Sequence, residues 1–552
     1  MTKTAGLSPE MRDMMIEAMR QVCRRDMPED RLLELDARDE FPMPFIRTLL
    51  SADVGLHLVF LPEEVGGLGG GALDVCRVSE EMAVIDLGLA TSFLAICLGT
   101  DPIIVGGTDT QKAEWLGRIA EGRIVAYGVT EPAAGSNVAS LQTVAERIID
   151  ADGNVTGYRI NGTKQFITNG SVAEIYTILA KTPDGPSFFV VDRETPGLSA
   201  GRHEDKHGIR ASDTAGVILE DVEVPVDQLI GGVEGQGLKQ ANAVFGYTRL
   251  MVGAFGLGAG KAAIERAVRY AKERIQFGSP LIDKEGYCAK LIVPNWIALE
   301  AGRAYAEEVA ERLDAGEKGL QVEGAVAKLW CSEAGNKAAE DAIQALGGYG
   351  YTREYIVEKI KRDVRITTIY EGTSEILQSI IGMFRWKETV RSKGAWYEGL
   401  ASDLDALHAA QDDLGADLVA AATRDLDAAI RFCHARRTAT RQSVQFVLAD
   451  MMTACEVAGA FCRRARAMAE SGAAAADAVA AMSRLQARDV LEAVGRGATT
   501  CAAGPADAGD GETLTEIRAF AEGLAWTDRL TAQAGRLADL ATVTEHIKRQ
   551  VT

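Results

Sequence analysis

The sequence predicts an α+β fold, mainly α: a helical N-terminal domain, a middle antiparallel β domain, a helical C-terminal domain, and an extra C-terminal helical domain. Three observations predict it. Apolar residues recur at i, i+3, i+4 over residues 9 to 125. Short alternating runs separated by D-G, N-G and P-D-G turns fill 126 to 232. Long Ala-rich amphipathic patterns occupy most of 233 to 552.

The first segment is interrupted by a Gly-rich loop at 66 to 71, and its longest apolar run, Leu87 to Gly99, is too short to span a bilayer and reads as a buried helix. In the second segment, Tyr158 to Ile160, Tyr176 to Ala180, Ser187 to Val191 and Ala215 to Leu219 read as strands. Helical texture returns at Val233. Gly256-Leu-Gly258-Ala-Gly260-Lys261 imitates a phosphate loop but lies inside a continuous helical pattern from about Gln240 to Arg274, where its glycines permit close helix packing or leave acyl-chain space. No strand followed by G-x-G-x-x-G opens a helix, so a Rossmann nicotinamide site is not indicated. The expected domains are 1–125, 126–232, 233–392 and 393–552. The last is broken only by G-P-A-D-A-G-D-G at 504 to 511. Laid without gaps on the third domain, Ala298 to Gly348 against Ala454 to Gly504, it pairs Gly316 with Gly472 and Gly348 with Gly504, the pattern of a degenerate copy.

The 552 residues carry a formal charge of −20, which argues against nucleic acid, since a phosphate backbone is bound by neutralising it with Lys and Arg. The nine cysteines show no C-x-x-C spacing, so buried free thiols in a reducing compartment are expected. The first residues hold no apolar signal core, and a cytoplasmic protein is expected. The tail lacks a strongly basic apolar face, so packing on the core is expected rather than membrane association.

One acidic side chain stands out. R-I-T-T-I-Y-E-G-T-S-E-I-L-Q, residues 365 to 378, sets Glu371 between Tyr370 and Gly372. A strand-like apolar run, Ile366 to Tyr370, is expected to end at the carboxylate. Gly372, Thr373 and Ser374 then supply a flexible residue and two hydroxyls before a helical pattern resumes. That setting brings a ligand close to backbone N–H groups at a helix start. Glu371 is the candidate catalytic base.

A-Y-G-V-T-E-P-A-A-G-S-N-V-A-S (126 to 140) and N-G-T-K-Q-F-I-T-N-G (161 to 170), together with Y-E-G-T-S-E (370 to 375), resemble the acyl-CoA dehydrogenase family. P-E-E-V-G-G-L-G (62 to 69), R-I-Q-F-G-S-P (274 to 280) and Q-A-L-G-G-Y-G-Y (344 to 351) continue the resemblance, which covers residues 1 to about 390. It implies α,β-dehydrogenation of an acyl-CoA thioester, with FAD as cofactor, no metal, and electrons passed to an electron-transfer flavoprotein. Glu371 would take the α proton and flavin N5 the β hydride; no side chain accepts hydride, so a cofactor must. Tyr127, Val129 and Thr130 fall where the family lines the flavin ring, Gly135 and Ser136 where a turn meets the pyrophosphate or thioester, and Phe166, Ile167 and Thr168 where an aromatic residue covers the ring. Arg274, Gln276, Phe277, Gln344, Gly347 and Gly348 correspond to residues that reach the adenine half of FAD across a subunit contact, which implies a homodimer or homotetramer. Thr373 and Glu375 complete the cofactor set. Ser136, Tyr247, Thr248, Arg249, Tyr370 and Gly372 are the implied substrate contacts.

The sequence departs from the family at several points. Phe166 stands where tryptophan is commoner. Thr248 occupies the helix position at which some relatives carry the base, leaving Glu371 as the matched carboxylate. Lys284-Glu285 and an interior Pro294 replace a flavin-facing glutamine and a regular helix, and Q-S-I-I-G-M-F-R-W follows the base loop where relatives place arginines. An acyl-CoA oxidase would share nearly every motif, and a non-catalytic acyl-CoA-binding assembly protein on the same fold is the further alternative.

Overall fold

The computed structural model describes residues 6–506, 510–525 and 531–551. Three residues of the breaker-rich stretch, 507–509, lie outside them. The chain packs as two units. The first comprises Met1–Ala259, Ala310–Gln321 and Thr352–Thr367, the second Gly260–Val309, Val322–Tyr351 and Thr368–Thr552. The helix Gly237–Glu273, 37 residues long, contributes to both units.

In the first unit, the N-terminal helices form as the periodicity requires. Ser8 caps Pro9–Asp26 by accepting the Met11 N–H, and Asp86 caps Leu87–Gly106 by accepting the Leu89 N–H at 2.9 Å. The second helix extends the apolar run well past Gly99. It and Gln442–Glu470 of the second unit are, among the described residues, long and apolar enough to cross a membrane, but both are mostly buried inside the protein. Leu87–Gly106 is thus a core helix. Its Gly99 lies so close to Val125 that an added Cβ would stand 2.7 Å from that side chain, and the Gly99 carbonyl accepts a bond from the Thr177 hydroxyl at 2.9 Å.

The helix packs on a seven-stranded sheet: β1 (Val125–Gly128), β2 (Val144–Ile149), β3 (Val155–Thr168), β4 (Ile175–Thr182), β5 (Gly185–Asp192), β6 (Leu198–His203) and β7 (Thr214–Pro225). The order is β1-β4-β2-β3-β7-β6, with β5 beside β4. All four expected strands are present. The sheet is not purely antiparallel, however: β1 pairs with β4 in parallel, Tyr127 opposite Thr177, and β2 meets β4 in parallel at Val144 and Lys181. Residues Ile175 to Ala180 of β4 are buried without alternation, the signature of a strand covered on both faces.

The glycines that imitate a phosphate loop are packing residues. A Cβ on Gly258 would stand 2.2 Å from the Glu80 carbonyl oxygen in the first unit, and one on Gly260 would stand 2.7 Å from Leu299 in the second. Pro294 sits at the start of Val293–Asp314, directly after a π-helical turn, Cys288–Ile292. The widened turn removes the i→i−4 geometry with which a proline ring collides.

Among the described residues, the regular structure of the second unit is helical apart from a small hairpin, β8 (Ile275–Gln276) and β9 (Ser279–Pro280). Its later helices are Ala395–Ala410, Ala416–Ala435, Gln442–Glu470, Ala476–Ala503, Gly511–Glu522 and Arg536–Gln550. The gapless offset noted in the sequence carries the end of Val293–Asp314 onto the end of Gln442–Glu470, and Gln321–Leu346 onto Ala476–Ala503 within one residue at each end. Gly316 and Gly472 both have left-handed φ, +86° and +65°. The tail is fastened to the rest of this unit by a buried knot. Arg385 makes a two-pronged pair with Glu456 (2.8 and 2.9 Å) and a third bond to Glu323 (3.0 Å), and the Tyr305 and Tyr397 hydroxyls donate to Glu456. The Lys272 ammonium donates to the Val551 carbonyl at 2.8 Å, and Lys548 pairs with Asp283 at 2.9 Å.

Candidate active site

In the first unit, β1 delivers Tyr127 and runs into Val129 and Thr130, while the end of β3 delivers Phe166, Ile167 and Thr168. The Gln165 N–H donates to the Thr130 carbonyl at 2.9 Å and joins the two segments. Val129 and Ile167 are buried, so only their backbone is on offer; Tyr127, Thr130 and Thr168 are half-buried. Phe166 is 60% exposed at φ +58°, and the β3–β7 register shifts between Lys164 and Ile167. The bulge re-aims the ring out of the sheet. An aromatic face held in solvent, flanked by threonine hydroxyls and backbone groups, fits a flat heteroaromatic ring. Gly135 and Ser136 are exposed beside a turn closed by mutual Glu131–Ala134 backbone bonds of 3.0 and 3.1 Å.

Tyr247, Thr248 and Arg249 follow one another on the long helix. Thr248 is wholly buried, its hydroxyl donating to the Val244 carbonyl at 3.4 Å. The Tyr247 hydroxyl lies 3.7 Å from the Cys97 thiol, and burial pushes its pKa well up. Arg249 is buried and donates to the Gln321 carbonyl at 3.3 Å.

The base loop differs from its sequence-based expectation. Ile366 to Tyr370 is no strand: Arg365–Thr368 is a 3₁₀ turn, and Tyr370 and Glu371 form a bend. A run of Ile and Thr has strand composition, yet the nine residues between the helix Val357–Val364 and the helix Ser374–Arg391 pair with no strand among the described residues. Glu371 is half-buried at φ +53° and Gly372 follows at +96°. Two left-handed residues in succession turn the chain sharply, and the second needs glycine. Thr373 then caps Ser374–Arg391, its hydroxyl accepting the Ile376 N–H at 3.3 Å, and Glu375 lies in the first turn, where the helix dipole favours it. Lys328, wholly buried, donates to the Gly372 carbonyl at 2.7 Å.

In the second unit, Phe277 and Gly278 form the two-residue turn of the β8–β9 hairpin with φ +50° and +82°, the type I′ pattern, and Phe277 is 98% exposed. The Arg274 guanidinium lies 6.0 Å from the Tyr349 ring, bringing the hairpin beside the turn that carries Gly347 and Gly348. Gln344 is exposed, and nothing lies within 4 Å of a Cβ built on either glycine. Gln276 is half-buried. Among the described residues, no cluster of His, Cys, Asp or Glu has metal-ligand geometry.

Three family models match in order: the acyl-CoA dehydrogenase N-terminal domain over residues 9–123, the middle domain over 126–222, and the C-terminal domain over 235–384. The chain belongs to the acyl-CoA dehydrogenase family. An acyl-CoA dehydrogenase of Bacillus subtilis (strain 168) is 38% identical to this family member over 389 residues, 67% of this chain and 97% of that protein. Butyryl-CoA dehydrogenase from Megasphaera elsdenii has a similar structure (TM-score 0.64, 33% identity), covering 68% of this chain and 98% of that one. An acyl-CoA dehydrogenase complexed with FAD from Bacillus anthracis matches at TM-score 0.83 and 22% identity over 100% of this chain and 98% of that one, so its fold includes the C-terminal extension.

The sequence motifs name the exposed candidate residues of this family member but not the buried charges behind them. Lys328, Lys164 and Glu131 went unread as site residues. Glu131 and Lys164 lie inside the two segments that carry the resemblance, whereas Lys328 stands in a helix with no local signal.

Proposed function

We propose that this protein is a FAD-dependent acyl-CoA dehydrogenase in which Glu371 removes the α proton of the acyl thioester. The observation that carries the reading is the base loop: a carboxylate held at left-handed φ, followed by Gly372 at +96°, anchored from behind by Lys328 and closed ahead by the Thr373 cap. A fixed base near its target proton contributes roughly 10² to 10⁴ in rate. The Glu371 backbone N–H would face the thioester carbonyl, where a preorganised donor stabilises the developing enolate. Tyr370 and Gly372 bound the same loop, and Ser136, Tyr247, Thr248 and Arg249 are the remaining proposed substrate contacts.

Tyr127, Val129, Thr130, Gly135, Ser136, Phe166, Ile167 and Thr168 would hold the flavin half of FAD; when bound, FAD supplies the acceptor for the β hydride. Phe277, exposed at a left-handed turn, supports a site completed by a second copy of the chain, with Arg274, Gln276, Gln344, Gly347, Gly348, Thr373 and Glu375 on the adenine side, in a homodimer or homotetramer. Electrons would leave through an electron-transfer flavoprotein. The nine cysteines, all free and buried, support a reducing, cytoplasmic setting.

The test is anaerobic titration of the purified protein with a panel of acyl-CoAs. Yellow protein with about one FAD per chain, bleached by at least one thioester and reoxidised by an electron-transfer flavoprotein faster than by air, is the expected result. Stoichiometric peroxide at full turnover would make it an oxidase instead.

A further inference from the structure

Behind the flavin-facing segments of the first unit lies a charged pair that the mechanism above does not use. Lys164 and Glu131 have side chains 0% and 2% exposed, and the ammonium meets the carboxylate at 2.6 Å. Lys164 also donates to the Val129 carbonyl at 3.3 Å. Glu131 accepts, besides, the N–H groups of Gln142 and Thr143. Burial pushes the Lys164 pKa down to about 8, with Glu131 opposing, so the pair is ionic at neutral pH.

Burying two charges is costly unless their geometry and remaining hydrogen bonds are well satisfied, and an ion pair at such a place often adds no net stability over apolar residues of the same volume. Its position is what distinguishes it. Val129, Thr130 and Glu131 are consecutive, as are Lys164, Gln165 and Phe166. Three bonds lace one triplet to the other: Lys164 to Val129, Gln165 to Thr130, and Lys164 to Glu131. Directly beyond the lacing, Phe166 stands at φ +58° with its ring in solvent. A bulky residue keeps that conformation only where its surroundings over-determine it.

We propose that the Glu131–Lys164 pair is a positioning device for FAD: it fixes the spacing between the 127–130 and 166–168 segments and holds Phe166 outward, so that the ring meets a preformed seat. This rests on the assignment of those two segments to the flavin.

The test is the double variant Glu131→Gln/Lys164→Met, which keeps side-chain volume and leaves no buried charge, in FAD-stripped full-length protein. It should melt within a few degrees of stripped wild type, bind FAD at least tenfold more weakly, and shift the visible flavin bands. An FAD Kd within threefold of wild type with unchanged bands overturns the proposal. Phe166→Ala separates the two ways to fail: if it weakens FAD binding while the double variant does not, only the positioning role falls. If neither variant changes binding or spectrum, the flavin assignment of the segments falls too. Should the double variant not accumulate as folded protein, Glu131→Gln alone is read by the same two measurements and the same limits.

Discussion

The Lys328 ammonium donates to the Gly372 carbonyl oxygen at 2.7 Å, one residue beyond Glu371. A buried cation thus holds the loop that carries the proposed base, and the loop needs holding, because Glu371 occupies a left-handed conformation that side-chain-bearing residues adopt at a cost.

Lys328→Met removes that grip and leaves a carbonyl without its donor, at a stability cost of about 1–3 kcal/mol. We expect kcat to fall by about tenfold to a hundredfold, since small misplacements of a reacting group are that expensive, while FAD content stays at wild-type level. Steady-state kinetics on flavin-replete protein check it. An unchanged kcat would show that the loop holds itself.

The extension should depend on the Arg385 knot. Arg385→Met strands Glu456 and Glu323 in the core of the second unit, where they are 8% and 7% exposed, and breaking a buried pair from one side costs about 3–5 kcal/mol. Adding Glu456→Gln should recover most of the loss in chemical denaturation. A double variant as unstable as the single one would contradict this account.

The pH dependence of stability should carry the mark of Asp363. Lys359 is buried between Asp86 and Asp363, and the Ile209 N–H also donates to Asp363. Burial, with the charge of Asp86, raises the Asp363 pKa to about 6 against the pull of Lys359. A raised folded-state pKa means that the native state holds the proton more tightly than the unfolded chain. The stabilisation is fully present below the unfolded value of about 4 and is lost as pH rises through 6. Asp363→Asn removes the titration while keeping an acceptor for Ile209. Its stability relative to wild type should therefore rise between pH 4 and pH 7, by on the order of 2 kcal/mol. Parallel stability curves over that window would refute the assignment.

Much of this architecture was legible from periodicity, because helices and strands write their spacing into the chain locally. The four expected strands fall within β3, β4, β5 and β7, and the tail is helical. What was not legible is pairwise and distant. Alternation does not record whether β1 runs with or against β4. Composition could not tell the Ile366 to Tyr370 run from a strand, since only the absence of a neighbouring edge decides it. The buried charges at Lys328, Lys359 and Arg385 find partners as far as 273 residues away, as Lys359 does at Asp86. The exposed residues of the candidate site come from motifs; the ionic supports behind them do not.

The central claim, that Glu371 is the base, is tested most directly by anaerobic stopped-flow reduction of flavin-replete Glu371→Gln with the best acyl-CoA substrate. The amide keeps size and hydrogen-bonding capacity but cannot take the proton, and Thr248, buried and bonded to Val244, puts no carboxylate at the alternative helix position. The variant should retain FAD and bind the thioester while flavin bleaching slows by about 10² to 10⁴. Bleaching at close to the wild-type rate would place the base elsewhere.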